Sequence, residues 1–143
     1  MSKIDLLLLE DNATDAELTI KVLRSQGMAK DIVHVKDGAE AIDFIFRKGK
    51  YAERENILPE LIVLDLKVPK IFGIEVLEIL LSNELTKNIP VVVLSSSSLD
   101  SDKDACYKLG AKAYIVKPIG FDAFTEAISQ LGHYLSQGDQ PTE

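Results

Sequence analysis

The sequence predicts an α/β fold in which a five-stranded parallel sheet lies between two layers of helices. Five short apolar runs are distributed along the 143 residues, and the segments between them repeat apolar residues at helical spacing. Four of the five runs are nearly continuous in apolar residues, as expected for strands that are covered on both faces. Strands that alternate with helices favour parallel pairing, because each helix returns the chain to the start of the next strand.

The strands are predicted where these apolar runs stand between polar segments. They are Ile4–Leu9, Ile32–Val35, Leu61–Leu64, Val91–Leu94 and Ala113–Val116. Right-handed crossovers place helices on both faces of the sheet. The common order of such strands is 2-1-3-4-5, which is the doubly wound, flavodoxin-like arrangement of five βα units.

Five helices are predicted from apolar residues three or four positions apart, which mark the buried side of each helix. Helix by helix, these residues are Leu18, Val22 and Leu23; Ala41, Ile42, Ile45 and Phe46; Ile74, Leu77, Leu80 and Leu81; Cys106 and Leu109; and Phe124, Ile128, Leu131 and Leu135. Thr14 with Glu17 forms a capping-box pattern at the start of the first helix, and Gly27 fits its end. Gly49 is expected to end the second helix and Gly110 the fourth.

Composition predicts one cytoplasmic domain, formed by residues 1–135, with a polar and flexible tail at Ser136–Glu143. The net charge of −7 argues against nucleic-acid binding, which requires neutralisation of phosphates. The apolar run Leu6–Leu9 is too short for a signal peptide or a membrane span, so no membrane association is expected. Cys106 is the only cysteine, which excludes an intrachain disulfide and a cysteine-rich zinc site.

Polar side chains follow the predicted strands at the sheet edge where open parallel sheets bind ligands. Glu10 and Asp11 follow the first strand, Asp65 the third, Ser95 the fourth and Lys117 the fifth. Crowded carboxylates repel one another, and a hard divalent cation such as Mg²⁺ relieves that repulsion. The lysine adds a positive charge suited to phosphate, and the serine adds a hydrogen-bond donor. This combination favours phosphoryl transfer, with a carboxylate as the covalent acceptor.

Four segments, each at a strand end, carry a resemblance to a known family. They are Leu9–Asn12 (LEDN), Leu64–Pro69 (LDLKVP) with Gly73 after it, Pro90–Ser95 (PVVVLS) and Tyr114–Pro118 (YIVKP). In this order they resemble the response-regulator receiver domain of two-component signalling, over about residues 4–135. The resemblance implies a phosphoacceptor that catalyses its own phosphorylation and dephosphorylation, rather than an enzyme that acts on another substrate.

The resemblance also implies a role for each matching residue. Asp65 matches the acceptor of a phosphoryl group from a sensor histidine kinase. Glu10 and Asp11 match the acidic pair that holds Mg²⁺ or Mn²⁺ together with Asp65, and Lys67 matches the position whose backbone carbonyl is a further ligand. Lys117 matches the lysine that pairs with the phosphoryl group.

Two further matches concern the conformational switch. Ser95 matches the hydroxyl that turns toward the phosphoryl group, and Tyr114 matches the aromatic residue that then moves and reshapes the face of the fourth helix, fifth strand and fifth helix. Lys67 and Ser96 depart from the neutral and the smaller residue that many members carry, and the effect of both on the phosphoryl lifetime stays open. Tyr114 is also compatible with simple packing in a strand.

Within the family, the long connection Gly49–Pro59 and the lack of an output domain resemble stand-alone regulators that pair with bacterial phytochrome histidine kinases. Such a regulator would signal through contact with a downstream protein. A homodimer through the last helices is a further expectation, with Phe121, Phe124 and Tyr134 as candidate interface residues, although the first two also fit core packing.

Other classes of protein fit the sequence less well. A dehalogenase-like phosphatase needs a second aspartate two positions after the nucleophile, where this chain has Lys67. A flavin-binding electron carrier needs a phosphate loop after the first strand, where Glu10 and Asp11 would repel phosphate. An adaptor that uses the receiver fold without phosphorylation stays open as the alternative.

Overall fold

The computed structural model describes residues 3–139 and contains one parallel sheet of five strands in the order β2-β1-β3-β4-β5. The strands are β1 Leu6–Leu9, β2 Ile32–Val35, β3 Ile62–Leu64, β4 Val91–Ser95 and β5 Ala113–Val116. The predicted fold class and strand order are therefore confirmed. Ile4 does not belong to the first strand, but forms an isolated parallel bridge with Pro59.

Within residues 3–139, six α-helices cover the sheet. They are α1 Ala13–Ser25, α2 Gly38–Phe46, α3 Gly73–Ser82, α4 Asp100–Leu109, α5 Phe121–Ser129 and α6 Leu131–Asp139, and a short 3₁₀ helix spans Gly49–Tyr51. No helix in this part of the chain is long and apolar enough to cross a membrane.

The two faces of the sheet carry two separate apolar cores. Leu7 and Leu9 of β1 point to the core that is completed by α2, α3 and α4, whereas Leu6 and Leu8 point to the core completed by α1, α5 and α6. All four leucines are at most 1% exposed. Because strand side chains alternate between faces, a continuous apolar run at β1 is what burial on both sides requires.

The start of helix α1 differs from the predicted capping box of Thr14 and Glu17. Its N-cap is Asn12, whose side-chain oxygen accepts a hydrogen bond of 2.9 Å from the backbone N–H of Asp15. The predicted capping box of Thr14 and Glu17 was wrong, because both residues lie inside the helix and are exposed. Asparagine satisfies a free N–H at the helix start as well as threonine does, and the helix therefore begins right after the acidic pair.

The predicted fifth helix is divided into α5 and α6 at Gln130. Near the end of α5, the hydroxyl of Ser129 donates to the backbone carbonyl of Thr125 at 3.0 Å, a bond that often bends a helix. Gly132, the second residue of α6, lies close to Met28, where an added Cβ would lie 2.2 Å from the sulfur. Leu131 still packs in the same core as α5, so the break leaves the apolar side intact.

The ends of helices α2 and α6 also differ from their predicted positions. Helix α2 ends at Phe46, its C-cap Arg47 adopts a left-handed conformation with φ 55°, and Gly49 instead begins the 3₁₀ helix. At the other end of the chain, α6 continues to Asp139. Residues 140–143 of the predicted tail lie outside the described residues, so the flexibility of the tail stays a prediction.

Cys106 is fully buried in α4, and burial raises the pKa of its thiol to about 11. Since the thiolate is the reactive form, we expect iodoacetamide at neutral pH to alkylate the folded protein about 100-fold more slowly than the unfolded protein. Intact mass measured over time with and without denaturant will show the difference. Equal rates would mean that the cysteine is accessible in the folded chain.

Candidate functional site

Three carboxylates meet at the carboxyl edge of the sheet. Glu10 and Asp11 follow β1, Asp65 follows the neighbouring strand β3, and one oxygen of each lies within 4.8 Å of the others. Glu10 and Asp65 are buried, and Asp11 is exposed. The parallel pairing of β1 with β3 produces this cluster, because it brings both strand ends to one edge.

The ammonium group of Lys117 lies against this cluster. Its Nζ is 2.7 Å from Glu10 Oε1, 2.9 Å from Asp65 Oδ2 and 3.0 Å from Asp15 Oδ2. The lysine follows β5, and its backbone N–H donates to the carbonyl of Ser95 at 2.7 Å. An ammonium has three N–H donors, so the three carboxylates use its full capacity.

Burial and neighbouring charges shift the pKa values of Glu10 and Lys117. Burial raises the pKa of Glu10 to about 7, and the charge of Asp65 acts in the same direction against the lowering effect of Lys117. Burial alone would lower the pKa of Lys117, but its hydrogen bonds to Glu10 and Asp65 raise it above the ordinary value. The lysine therefore stays charged and compensates the crowded carboxylates.

A backbone N–H of the turn after β3 holds the carboxylate of Asp65 in place. The backbone N–H of Lys67 donates a hydrogen bond of 3.1 Å to Asp65 Oδ1. Lys67 itself is exposed to solvent. Gly73 begins α3 directly against the turn, and a Cβ there would lie 2.3 Å from the carbonyl oxygen of Asp65. Only a residue without a side chain allows this approach.

The end of β4 carries Ser95, which is fully buried. Its Oγ accepts a hydrogen bond of 3.3 Å from the N–H of Ser97. Ser97 in turn donates through its hydroxyl to Asp102 at the start of α4, and its carbonyl accepts from the hydroxyl of Tyr114 at 2.9 Å. The β4–α4 loop is therefore bound to both α4 and β5. Ser96 is exposed.

Tyr114 is half-buried and packs against the core on the α4 side of the sheet. Burial raises the pKa of its hydroxyl, although hydrogen bonds to Ser97 and Ser95 act against the increase. Its backbone N–H donates to the hydroxyl of Tyr107 in α4 at 3.0 Å. The tyrosine thus connects β5 to the β4–α4 loop and to α4.

The sequence-based interpretation missed three residues of this region. Asp15 contacts Lys117, Ser97 links the β4–α4 loop to Asp102 and Tyr114, and His34 in β2 donates from Nε2 to the carbonyl of Glu10 at 2.7 Å. One signal could have found Asp15, which is an acidic residue in the first turn of the helix that follows the acidic pair. Ser97 was hidden in a run of four serines, and β2 offered no signal for His34.

The donor atoms of the acidic cluster fit a divalent cation. Carboxylate oxygens are the ligands that Mg²⁺ and Mn²⁺ prefer, and one oxygen of each of the three carboxylates lies within 4.8 Å of the others. Burial of two of the three carboxylates makes their mutual repulsion costly, which favours a cation between them.

The sequence of the chain matches a described family. Residues 6–129 match the response regulator receiver domain, and the chain belongs to this family of two-component signalling proteins. Among curated proteins, it is 37% identical over 112 residues to the response regulator Rcp1 from Synechocystis sp. (strain ATCC 27184 / PCC 6803 / Kazusa), covering 78% of this chain and 75% of the relative.

Solved structures of related proteins have the same fold. The phosphorylated cyanobacterial phytochrome response regulator RcpA aligns with a TM-score of 0.87 at 32% identity, covering 98% of this chain and 99% of that one. The Mn²⁺-bound form of Rcp1 aligns with a TM-score of 0.86 at 30% identity, covering 97% of each chain. The bacteriophytochrome response regulator RtBRR aligns at 42% identity with a TM-score of 0.77, covering 91% of this chain and 78% of that one.

Proposed function

We propose that this protein accepts a phosphoryl group on Asp65 from the phosphohistidine of a sensor histidine kinase, in a reaction that requires Mg²⁺ or Mn²⁺. The observation that carries the proposal is the environment of this one carboxylate. It is buried within the acidic cluster, with Oδ1 bound by the N–H of Lys67 and Oδ2 bound by Lys117. Two donors hold the carboxylate in one orientation, which favours its use as a nucleophile.

In the proposed step, an Asp65 oxygen forms a bond to phosphorus while the phosphorus–nitrogen bond of the phosphohistidine breaks, and the imidazole leaves with its electron pair. Glu10, Asp11, Asp65 and the carbonyl of Lys67 would hold the metal, which would neutralise charge on the phosphoryl oxygens. Lys117 supplies a second positive charge from within the protein. Water then hydrolyses the phospho-aspartate and returns the carboxylate to its starting state.

The hydrogen bonds around Ser95 support a way to transmit the change. If its hydroxyl turns to donate to the phosphoryl group, the N–H of Ser97 loses its acceptor. Ser97 is also hydrogen-bonded to Tyr114 and to Asp102, so a shift of the β4–α4 loop reaches β5 and α4. Converting a 1:99 equilibrium to 99:1 takes about 5.5 kcal/mol, which a few charge-assisted hydrogen bonds of ~1.5–3 kcal/mol each can supply.

The relatives suggest what kind of partner donates the phosphoryl group. Because RcpA and RtBRR are named as phytochrome response regulators, we propose a bacterial phytochrome histidine kinase as the donor. We further propose that the protein acts in the cytoplasm and signals to a downstream protein by contact. For a homodimer, Phe121 is available because it is 67% exposed, whereas Phe124 is buried in the core. Tyr134 is half-buried.

The proposal predicts metal-dependent labelling by a small acyl phosphate. We expect wild-type protein incubated with acetyl phosphate and Mg²⁺ to gain one phosphoryl group, because the donor replaces the kinase phosphohistidine in the same displacement. Intact mass spectrometry measures the gain, and addition of excess EDTA before the donor is the control that should prevent it. Labelling that is equally fast in EDTA would contradict the proposed metal dependence.

A further inference from the structure

Asp15 is the only carboxylate in contact with Lys117 that is not part of the acidic cluster, within the described residues 3–139. Its Oδ2 lies 3.0 Å from the ammonium, and its side chain is 32% exposed, against 1% for Glu10 and 7% for Asp65. Asp15 therefore contacts the lysine from the solvent side of the site, while the other two carboxylates contact it from inside.

The position of Asp15 is fixed by its surroundings. Its backbone N–H is bound by the side chain of Asn12, and its carbonyl accepts a hydrogen bond of 2.7 Å from the hydroxyl of Thr19. Both bonds belong to the first turns of α1, which packs against α5. A carboxylate on such a rigid element can hold a flexible lysine side chain in one place.

The other two partners of Lys117 are needed elsewhere during the proposed reaction. Glu10 and Asp65 belong to the cluster that would hold a metal, and Asp65 becomes an acyl phosphate, which is a mixed anhydride, when it is phosphorylated. Both changes weaken their hold on the ammonium. Asp15 has neither task, so it is the partner that can stay bound to Lys117 throughout the transfer.

We propose that Asp15 is a positioning residue for phosphoryl transfer, whose carboxylate oxygen keeps the ammonium of Lys117 in place while a phosphoryl oxygen replaces its contact with Asp65. This inference rests on the proposed function, since it concerns the same transfer. In this proposal Asp15 acts as a hydrogen-bond acceptor for the ammonium and not only as a negative charge. Asparagine keeps an oxygen acceptor at this position, and alanine removes it.

Three variants test the proposal. At saturating Mg²⁺ we expect Asp15→Ala to slow labelling by acetyl phosphate roughly 10-fold, because a misplaced charged group costs rate. Asp15→Asn should stay within about threefold of wild type, since it restores the acceptor. Glu17→Ala is the matched control, because it removes an exposed carboxylate two positions along the same helix without a contact to Lys117, and it should leave the rate unchanged.

Binding of Mg²⁺ separates positioning from ligation. The chain contains no tryptophan, so isothermal titration calorimetry is the suitable measurement, and we expect the Mg²⁺ dissociation constant of Asp15→Ala to equal that of wild type. A weaker constant in proportion to the slower rate would make Asp15 a metal ligand and overturn the proposal. Labelling of Asp15→Ala at the Glu17→Ala rate would also overturn it, as would equal slowing of the alanine and asparagine variants.

The outcome for wild type distinguishes this inference from the proposed function. If wild-type protein gains no phosphoryl group under any donor and metal condition, the proposed function fails. If wild type is labelled and Asp15→Ala is labelled equally fast, only the role of Asp15 fails. Thermal unfolding of each variant shows whether α1 is intact, and the asparagine variant keeps the test valid if alanine disrupts the helix start.

Discussion

Asp65→Asn will not gain a phosphoryl group from acetyl phosphate in the presence of Mg²⁺, whereas wild type will. An amide oxygen is a much weaker nucleophile than a carboxylate, and the substitution also removes one charge from the acidic cluster. The fold should persist, because asparagine has the size of aspartate and keeps an acceptor for the N–H of Lys67. Intact mass measured after incubation gives the result directly.

Asp104→Asn is the matched control for this loss. Asp104 lies in α4, is exposed and does not belong to the acidic cluster, so this variant makes the same chemical change outside the site. It should be labelled like wild type. Labelling of Asp65→Asn to the extent of wild type would show that another side chain accepts the phosphoryl group and would remove the basis of the proposed function.

Lys117→Met will strongly destabilise the metal-free protein. The side chain of Lys117 is 9% exposed and pairs with Glu10 and Asp65, which are also buried. Removing one partner of a buried ion pair typically costs about 3–5 kcal/mol, because the remaining charges have lost their compensation. For a domain of this size, that corresponds to a drop of roughly 10 °C in Tm, measured by thermal unfolding in EDTA.

Two comparisons make this prediction specific. Lys87→Met removes an ion pair with Glu84 in which the lysine side chain is 47% exposed and the glutamate side chain 77% exposed. This substitution should change the free energy of unfolding by only about 0–1 kcal/mol. Adding Mg²⁺ should recover more stability in Lys117→Met than in wild type, because the metal then supplies the missing positive charge. A Tm equal to that of wild type in EDTA would mean that the lysine does not compensate the carboxylates.

The fold could be predicted because burial on two faces leaves a strong pattern in a sequence. A strand such as β1 must be apolar at every position, and its four leucines show this without any knowledge of the partners. The carboxyl edge could be predicted as well, since a residue directly after a strand lies at that edge whatever its side chain does. The structure brings together Glu10, Asp11, Asp65 and Lys117 in this way.

The remaining details depend on side-chain directions that a single sequence does not specify. Thr14 and Asn12 are both good capping residues, and only the exact start of α1 decides between them. The contact of Asp15 with Lys117 depends on how α1 is placed relative to the residue that follows β5, and the bonds of Ser97 depend on the path of the β4–α4 loop. Such contacts arise from tertiary packing, which follows from all elements together.

The placement of the Lys117 ammonium between Glu10 and Asp65 has a consequence for metal affinity. A divalent ion that enters this site competes with a cation already attached to the protein, so its binding is an exchange and not a simple addition. The measured affinity then reports the difference between two ion pairings. This competition would weaken the binding of the ion and make it readily reversible, which suits a signal that has to be erased.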